Sequence, residues 1–191
     1  METQDPLISQ TLNNRRRLLE LIKKDAVYKG GDYTLSSGQK SSYYIDMRLI
    51  TLSAEGAYLI ANILFDELKN EDIDAIGGLT MGADPIAAAY AAISFLRGKP
   101  AQAFLVRKEE KKHGKNRLIE GPLKKGAKTA IVDDVATTGG SLLKAIDAVE
   151  KEGCTAVKVI ALVDRGLGAS QELAKKGYKL HSLYTLKDLG I

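Results

Sequence analysis

Four short runs rich in valine, isoleucine and alanine recur along the chain, and the segments between them carry helical rather than alternating periodicity. The runs are Asp74 to Gly78, Ala101 to Val106, Thr129 to Val132 and Ala156 to Val163. Continuous apolar runs of this length suit strands buried on both faces, and strands separated by helices suit parallel pairing, which needs a long crossover. Pro85 to Leu96 reads as a buried alanine-rich helix. Ser141 to Glu152 sets Leu142, Ala145, Ile146 and Val149 on one helical face and stops at Gly153. Ahead of the first run, Leu52 to Leu68 is a further amphipathic helix, entered through Thr51 or Ser53, with Ile60, Ile63, Leu64 and Leu68 on its stripe. The expected class is α/β, a central parallel sheet flanked by helices.

The region before residue 50 is different in kind. Leu18, Leu19, Leu21 and Ile22 mark a helix with a basic start at Arg15 to Arg17, and GDYTLSSGQKSSYYIDMRL then alternates like a hairpin around Ser37-Gly38. We read 1–50 as a subdomain appended to a single domain spanning 1–191, since 191 residues suit one domain. The one cysteine, Cys154, excludes an intrachain disulfide and a cysteine-held zinc. His113 and His181 are too few for a histidine-rich metal site, so any metal must be held by oxygen. METQDPLISQTLNNRRR lacks the apolar core of a secretory signal and no run is long enough to span a membrane, so no membrane association and a cytoplasmic protein are expected.

Lysine and arginine number 28 against 24 acids, and one segment carries the whole excess. RKEEKKHGKNR, residues 107–117, holds Arg107, Lys108, Lys111, Lys112, Lys115 and Arg117 against Glu109 and Glu110. It follows an apolar run directly and has no large apolar residue before Leu118, so it reads as a mobile cationic loop at a strand end, suited to a small polyanion.

The most informative stretch is AIVDDVATTGGS, residues 130–141: a buried strand, two carboxylates, then a turn opening a helix. In open α/β sheets ligands bind beyond the carboxyl ends of strands, where Asp133 and Asp134 fall. Gly139 and Gly140 allow close backbone approach, and the amides of 137–141 with the hydroxyls of Thr137, Thr138 and Ser141 form a phosphate cradle at a helix N-terminus. The pattern is neither GxxxxGK[ST] nor GxGxxG. Acids facing an anion cradle make sense if they serve hydroxyl groups or a divalent cation. A sugar phosphate with Mg²⁺ supplies both.

These residues resemble the phosphoribosyl pyrophosphate motif of type I phosphoribosyltransferases. The resemblance implies that 137–141 hold the ribose 5-phosphate, while Asp133 and Asp134 meet the ribose hydroxyls and the Mg²⁺ and support positive charge building at the anomeric carbon. Three further segments are similar to orotate phosphoribosyltransferases: SGQKSSYYID at 37–46, RKEEKKHG at 107–114 and VDRG at 163–166. By that resemblance the N-terminal subdomain is the family's hood, and 107–117 is its catalytic loop. Arg107, Lys108, Lys111 and His113 close over the pyrophosphate, with Lys111 the catalytic loop lysine. Orotate is then held by Arg165, Thr137 and Lys40. Arg165 also has a chemical argument, because a guanidinium is the natural bidentate partner of orotate's carboxylate.

Lys112, Lys115 and His181 read as solvated or incidental, and Tyr43 and Tyr44 as either strand aromatics or pocket walls. The chain departs from some members of the family at two places: Met81, in GGLTMGADP, and Ser36 stand where lysines are found. Lys40 is the candidate replacement. The glycine-rich loop can still offer amides to pyrophosphate, with Asp84 behind a metal. The family also implies a homodimer with shared active sites. With the chain ending near the small domain, no fused decarboxylase is expected, and the next step would need a separate protein. A purine phosphoribosyltransferase shares 133–141 and remains an alternative. So does a phosphoribosyl-pyrophosphate-responsive regulator, although the chain has no separate DNA-binding helical domain and no nucleic-acid partner is expected.

Overall fold

The computed structural model describes residues 6–34, 40–109 and 118–191. Six strands form one sheet in the order β5-β4-β3-β6-β7-β8. They are β3 (Ala75–Leu79), β4 (Gln102–Val106), β5 (Ile119–Glu120), β6 (Lys128–Ala136), β7 (Thr155–Asp164) and β8 (Leu180–Thr185). All pairings are parallel except that of β5, a two-residue edge strand antiparallel to β4. The crossovers are helical: α4 (Asp84–Leu96) joins β3 to β4, α5 (Gly140–Lys151) joins β6 to β7, and α6 (Ala169–Lys175) joins β7 to β8.

The four apolar runs are β3, β4, β6 and β7, the inner strands of the sheet. Alternation along β6 explains the two-sided core. Ala130 and Val132 face a cluster with Leu18, Ile60, Leu64, Ile86 and Tyr90, drawn from α1 (Pro6–Leu21), α3 (Ala54–Leu68) and α4. Ile131 faces the other way, toward Leu142, Ile146 and Val149 of α5 and Leu173 of α6. The sequence reading omitted β8 and β5. Both are edges: β8 buries only Leu183 and Tyr184, and β5 is two residues long, so neither shows a continuous apolar run. It also ended the third run at Val132, whereas β6 continues to Ala136 and pairs Asp133 with Ala161 and Val135 with Val163.

At the N-terminus, α1 and a π-helical turn over Ile22–Ala26 lead into an antiparallel hairpin of β1 (Val27–Thr34) and β2 (Lys40–Ile45). This two-stranded sheet is the hood, and its expected tip at Ser37-Gly38 lies outside the described residues. Its root belongs to the main core, because Ile22, Ala26, Ile45 and Met47 are buried in the same cluster as Ile60 and Leu64. The Tyr184 hydroxyl on β8 donates to the Arg15 carbonyl of α1 at 2.7 Å, tying the far edge of the sheet to the same helix. After the short α2 (Arg48–Thr51), Ser53 caps α3, its Oγ accepting from the Gly56 N–H at 3.1 Å.

Ser53→Ala removes this cap at a cost of about 1 kcal/mol. Thermal unfolding should show a melting temperature lower by about 2–4 °C for a chain of this size. Activity at 25 °C should be unchanged.

Candidate active site

From β3 the chain crosses outward to β4, and from β6 it crosses the opposite way to β7, so adjacent strands β3 and β6 flank a topological switch point. Crevices at such points, outside the carboxyl ends of the strands, are where open α/β sheets bind ligands. A cleft of about 430 Å³ opens there, lined by Tyr44, Asp46 and Arg48 on the hood side, Thr80 to Gly82 after β3, Lys108 after β4, and Asp133, Asp134, Thr137, Ser141 and Arg165. A hollow of about 230 Å³, formed by Asp133 and Val135 to Ser141, adjoins it. A larger hollow, about 570 Å³, lies at the amino ends of the strands beside Asp74, Gln102 and Lys124, away from these groups.

The acid pair is built into β6 itself. Asp133 is 7 % exposed, and its Oδ1 accepts from the Asp134 N–H at 3.0 Å, while Asp134 Oδ1 accepts from the Val135 N–H at 2.8 Å. Burial pushes both carboxyls above the usual carboxylate range, and the proximity of Asp134 raises Asp133 further. Hydrogen bonds from backbone N–H groups, the Ser141 hydroxyl near Asp133 and the Arg48 charge beside Asp134 act in the opposite direction. Among the described residues neither carboxylate has an ion-pair partner. Gly82 is forced by this arrangement, since a Cβ there would stand 2.6 Å from Asp134 Oδ1 and 2.8 Å from Asp133 Oδ1.

The cradle follows four residues later. Gly139 takes φ 85° ahead of α5, and a Cβ there would also press on Ala169 Cα at 3.2 Å. Leu143 N–H bonds the Gly139 carbonyl at 2.9 Å, so the N–H groups of Gly140, Ser141 and Leu142 have no carbonyl of the helix to donate to. Together with the hydroxyls of Thr137, Thr138 and Ser141 they have the chemistry to bind an anion at the positive end of a twelve-residue helix.

Arg165 stands just past β7, fixed by its N–H to the Ala136 carbonyl at 3.0 Å. It is 7 % exposed. The hood reaches over it: its guanidinium carbon lies 4.7 Å from the Tyr43 ring centre and its Nη2 3.4 Å from Ser41 Oγ. Its Nε is buried with no hydrogen-bond partner. A buried donor left unpaired is costly unless a ligand accepts from it.

The structure therefore brings Lys108, Asp133, Asp134, Thr137, Thr138, Gly139, Gly140, Ser141 and Arg165 to one place. Arg107 points elsewhere, its Nη1 3.4 Å from Glu120 across the β4–β5 pair. Lys40 stands opposite Thr34 at the start of β2, next to Ser41, which meets Arg165, and is not among the residues lining the cleft. Lys111, Lys112, His113, Lys115 and Ser36 lie outside the described residues. His181 is on β8, its Nε2 2.8 Å from Glu67. Asp84 begins α4 and accepts from Thr80 Oγ1 at 2.6 Å, and its Oδ1 is buried without a partner. Sequence reasoning passed over Asp46 and Arg48. Asp46 holds the Arg48 guanidinium through Oδ1 to Nε at 2.8 Å and Oδ2 to Nη2 at 2.9 Å, and Tyr44 Oη lies 3.3 Å from that Nη2. The acid and base two residues apart were visible in IDMR, but only the hood's packing brings them to the cleft.

The phosphoribosyl transferase domain family matches residues 51–181. The orotate phosphoribosyltransferase of Thermosynechococcus vestitus is 46% identical over 176 residues, 92% of this chain and 92% of that protein. Two solved structures of Mycobacterium tuberculosis H37Rv orotate phosphoribosyltransferase are similar throughout. One, in complex with Fe(III) dicitrate, has a TM-score of 0.81 and 40% identity, covering 93% of this chain and 99% of that one. The other, in complex with 5-phospho-alpha-D-ribosyl 1-diphosphate, has a TM-score of 0.77 and 36% identity over the same shares. With a parallel sheet, a switch-point acid pair and a helix-end anion cradle already in place, these matches make the chain a member of the phosphoribosyltransferase family, of the orotate phosphoribosyltransferase kind.

Proposed function

We propose that this chain transfers the 5-phosphoribosyl group of phosphoribosyl pyrophosphate to N1 of orotate, giving orotidine 5′-monophosphate and pyrophosphate in pyrimidine synthesis. The bond from the anomeric carbon to N1 forms, the bond to the pyrophosphate oxygen breaks, and the N1 proton is lost. The observation that carries the base assignment is Arg165, a buried guanidinium with an unpaired Nε, held under Tyr43 beside the phosphate cradle. It suits a ligand that has both a planar ring and a carboxylate.

The parts divide the work. The 137–141 turn holds the 5-phosphate, and Thr137 also borders the base. Asp133 and Asp134 accept from the ribose hydroxyls and stabilise positive charge at the anomeric carbon. Lys108, with Arg107, Lys111 and His113 by motif spacing, neutralises the leaving group and excludes water. Lys40 is assigned to the base only by its place in the SGQKSSYYID motif. Among the described residues no cluster of three or more histidine, cysteine or acidic side chains could hold a metal alone. A buried carboxyl beside a half-buried one, both oxygen donors at the cleft, fits a Mg²⁺ shared with substrate oxygens, and Asp133 and Asp134 would hold it. Magnesium would supply charge neutralisation to the pyrophosphate.

The same reading includes a homodimer in which one subunit's loop reaches the other's site, and a cytoplasmic enzyme with no nucleic-acid partner. No helix among the described residues is long and apolar enough to cross a membrane.

Pyrophosphate release from phosphoribosyl pyrophosphate and Mg²⁺ should occur with orotate and not with uracil, adenine or hypoxanthine. Release with a purine alone would move Arg165 out of the mechanism. Arg165→Ala should weaken orotate binding about 50-fold, as expected for lost charged hydrogen bonds, and leave phosphoribosyl pyrophosphate binding nearly intact. Equal loss of both contradicts the clamp. For Lys111→Ala, single-turnover kinetics should show a fall in kcat of about 100-fold or more with orotate affinity unchanged.

Asp133→Asn should lower kcat by a similar factor while raising the melting temperature of the ligand-free protein. A carboxyl with a folded pKa above its unfolded value near 4 contributes stability that is fully present below about pH 4 and lost as pH rises through the raised range. The variant should therefore show a flatter fall of stability from acid to neutral pH. A melting temperature below wild type at pH 7.5 would contradict this.

A further inference from the structure

One wall of the cleft has no charge of its own. The loop after β3 presents Met81, which is 64 % exposed, and Gly82, which stands against the acid pair. A diphosphate arm brings several negative charges beside the acid pair and calls for cations there, and the 137–141 turn is committed to the other phosphate. The cation that lines the cleft with Met81 and Asp134 on the hood side is Arg48. Lys40, at the opposite end of β2, does not line it.

Arg48 is also prepared for the task. Asp46 grips its Nε and Nη2, at 2.8 and 2.9 Å, which fixes the plane of the guanidinium and keeps it ionised. Its Nη1 has no hydrogen bond among the described residues. A guanidinium oriented by a carboxylate on one edge can donate from the other to a phosphoryl oxygen at little further cost in side-chain entropy. Its charge already reaches Asp134, which it draws toward ionisation.

We propose that Arg48, oriented by Asp46, binds the diphosphate arm of phosphoribosyl pyrophosphate on the Met81 side of the cleft. The proposal rests on the phosphoribosyl-transfer reading and adds a contact within it. Half-exposed and in a four-residue helix, Arg48 can be replaced without opening the core.

Calorimetric titration of wild type, Arg48→Met and Arg48→Lys, with Mg²⁺ present, tests it with two ligands: phosphoribosyl pyrophosphate and ribose 5-phosphate, which lacks the diphosphate. Arg48→Met should weaken phosphoribosyl pyrophosphate at least 10-fold and change ribose 5-phosphate less than 2-fold, with Arg48→Lys recovering part of the loss. In steady state the KM for phosphoribosyl pyrophosphate should rise and that for orotate should not. Unchanged affinity for phosphoribosyl pyrophosphate, or equal losses for both ligands, overturns the proposal. The wild type decides the underlying reading separately: failure to release pyrophosphate with orotate refutes that reading, while the two titrations still decide whether Arg48 meets the diphosphate.

Discussion

The site depends on β6 staying a strand after its apolar run has ended. Past Val132 the ladder to β7 continues through Asp133, Val135 and Ala136, which carries two adjacent carboxylates to the switch point, Asp133 buried and Asp134 half-buried. Nothing among the described residues pairs with them. Burial therefore favours their neutral forms, and the cost of placing acids there is offset by the cores on either side, where Ala130, Val132 and Ile131 are sealed by helices from both faces. Around the acids the other parts fall into place: Gly82 because a side chain would strike them, Ser141 because its hydroxyl reaches Asp133, and the helix start because the chain turns directly from β6 into α5.

A second dependence runs through the hood. Its hairpin is rooted in the same core as α1 and α3, so its position over the sheet is set by packing rather than by a hinge. One end of β2 delivers Ser41 and Tyr43 to Arg165, and the turn after it delivers Asp46 and Arg48 to Asp134. The cleft is therefore a joint between two sheets, with anion-binding groups on both sides of a pair of acids. Such an arrangement suits a ligand that is anionic at its ends and positively charged at its centre as it reacts.

Sequence patterns disclosed the parts whose causes are local. The inner strands show as continuous apolar runs because they lie within the sheet, and helix starts show near Thr51 or Ser53 and at Ser141 because caps and glycine turns restrict residue type. The cradle was legible for the same reason, since 137–141 are contiguous. Edge strands β5 and β8 were not, because a short or half-covered strand needs no continuous apolar run. The extension of β6 was hidden because acidic residues ordinarily end a strand. Arg165 could be singled out by its motif, but its unpaired Nε and its stack on Tyr43 are tertiary facts. Asp46 and Arg48 drew no notice in the sequence, because along a hairpin and its following turn, sequence distance does not say which side chains face the cleft.

The claim on which the mechanism stands is that the ligand-free protein holds an acid pair above its ordinary pKa, ready for the hydroxyls and cation that a phosphoribosyl donor brings. Carbon-13 NMR titration of the aspartate carboxyl signals, assigned with Asp133→Asn and Asp134→Asn, measures this directly. The account predicts that the pair titrates well above pH 4 in the free protein and moves downward when phosphoribosyl pyrophosphate and Mg²⁺ are added. Two carboxyls titrating near 4, unmoved by the ligand, would contradict it.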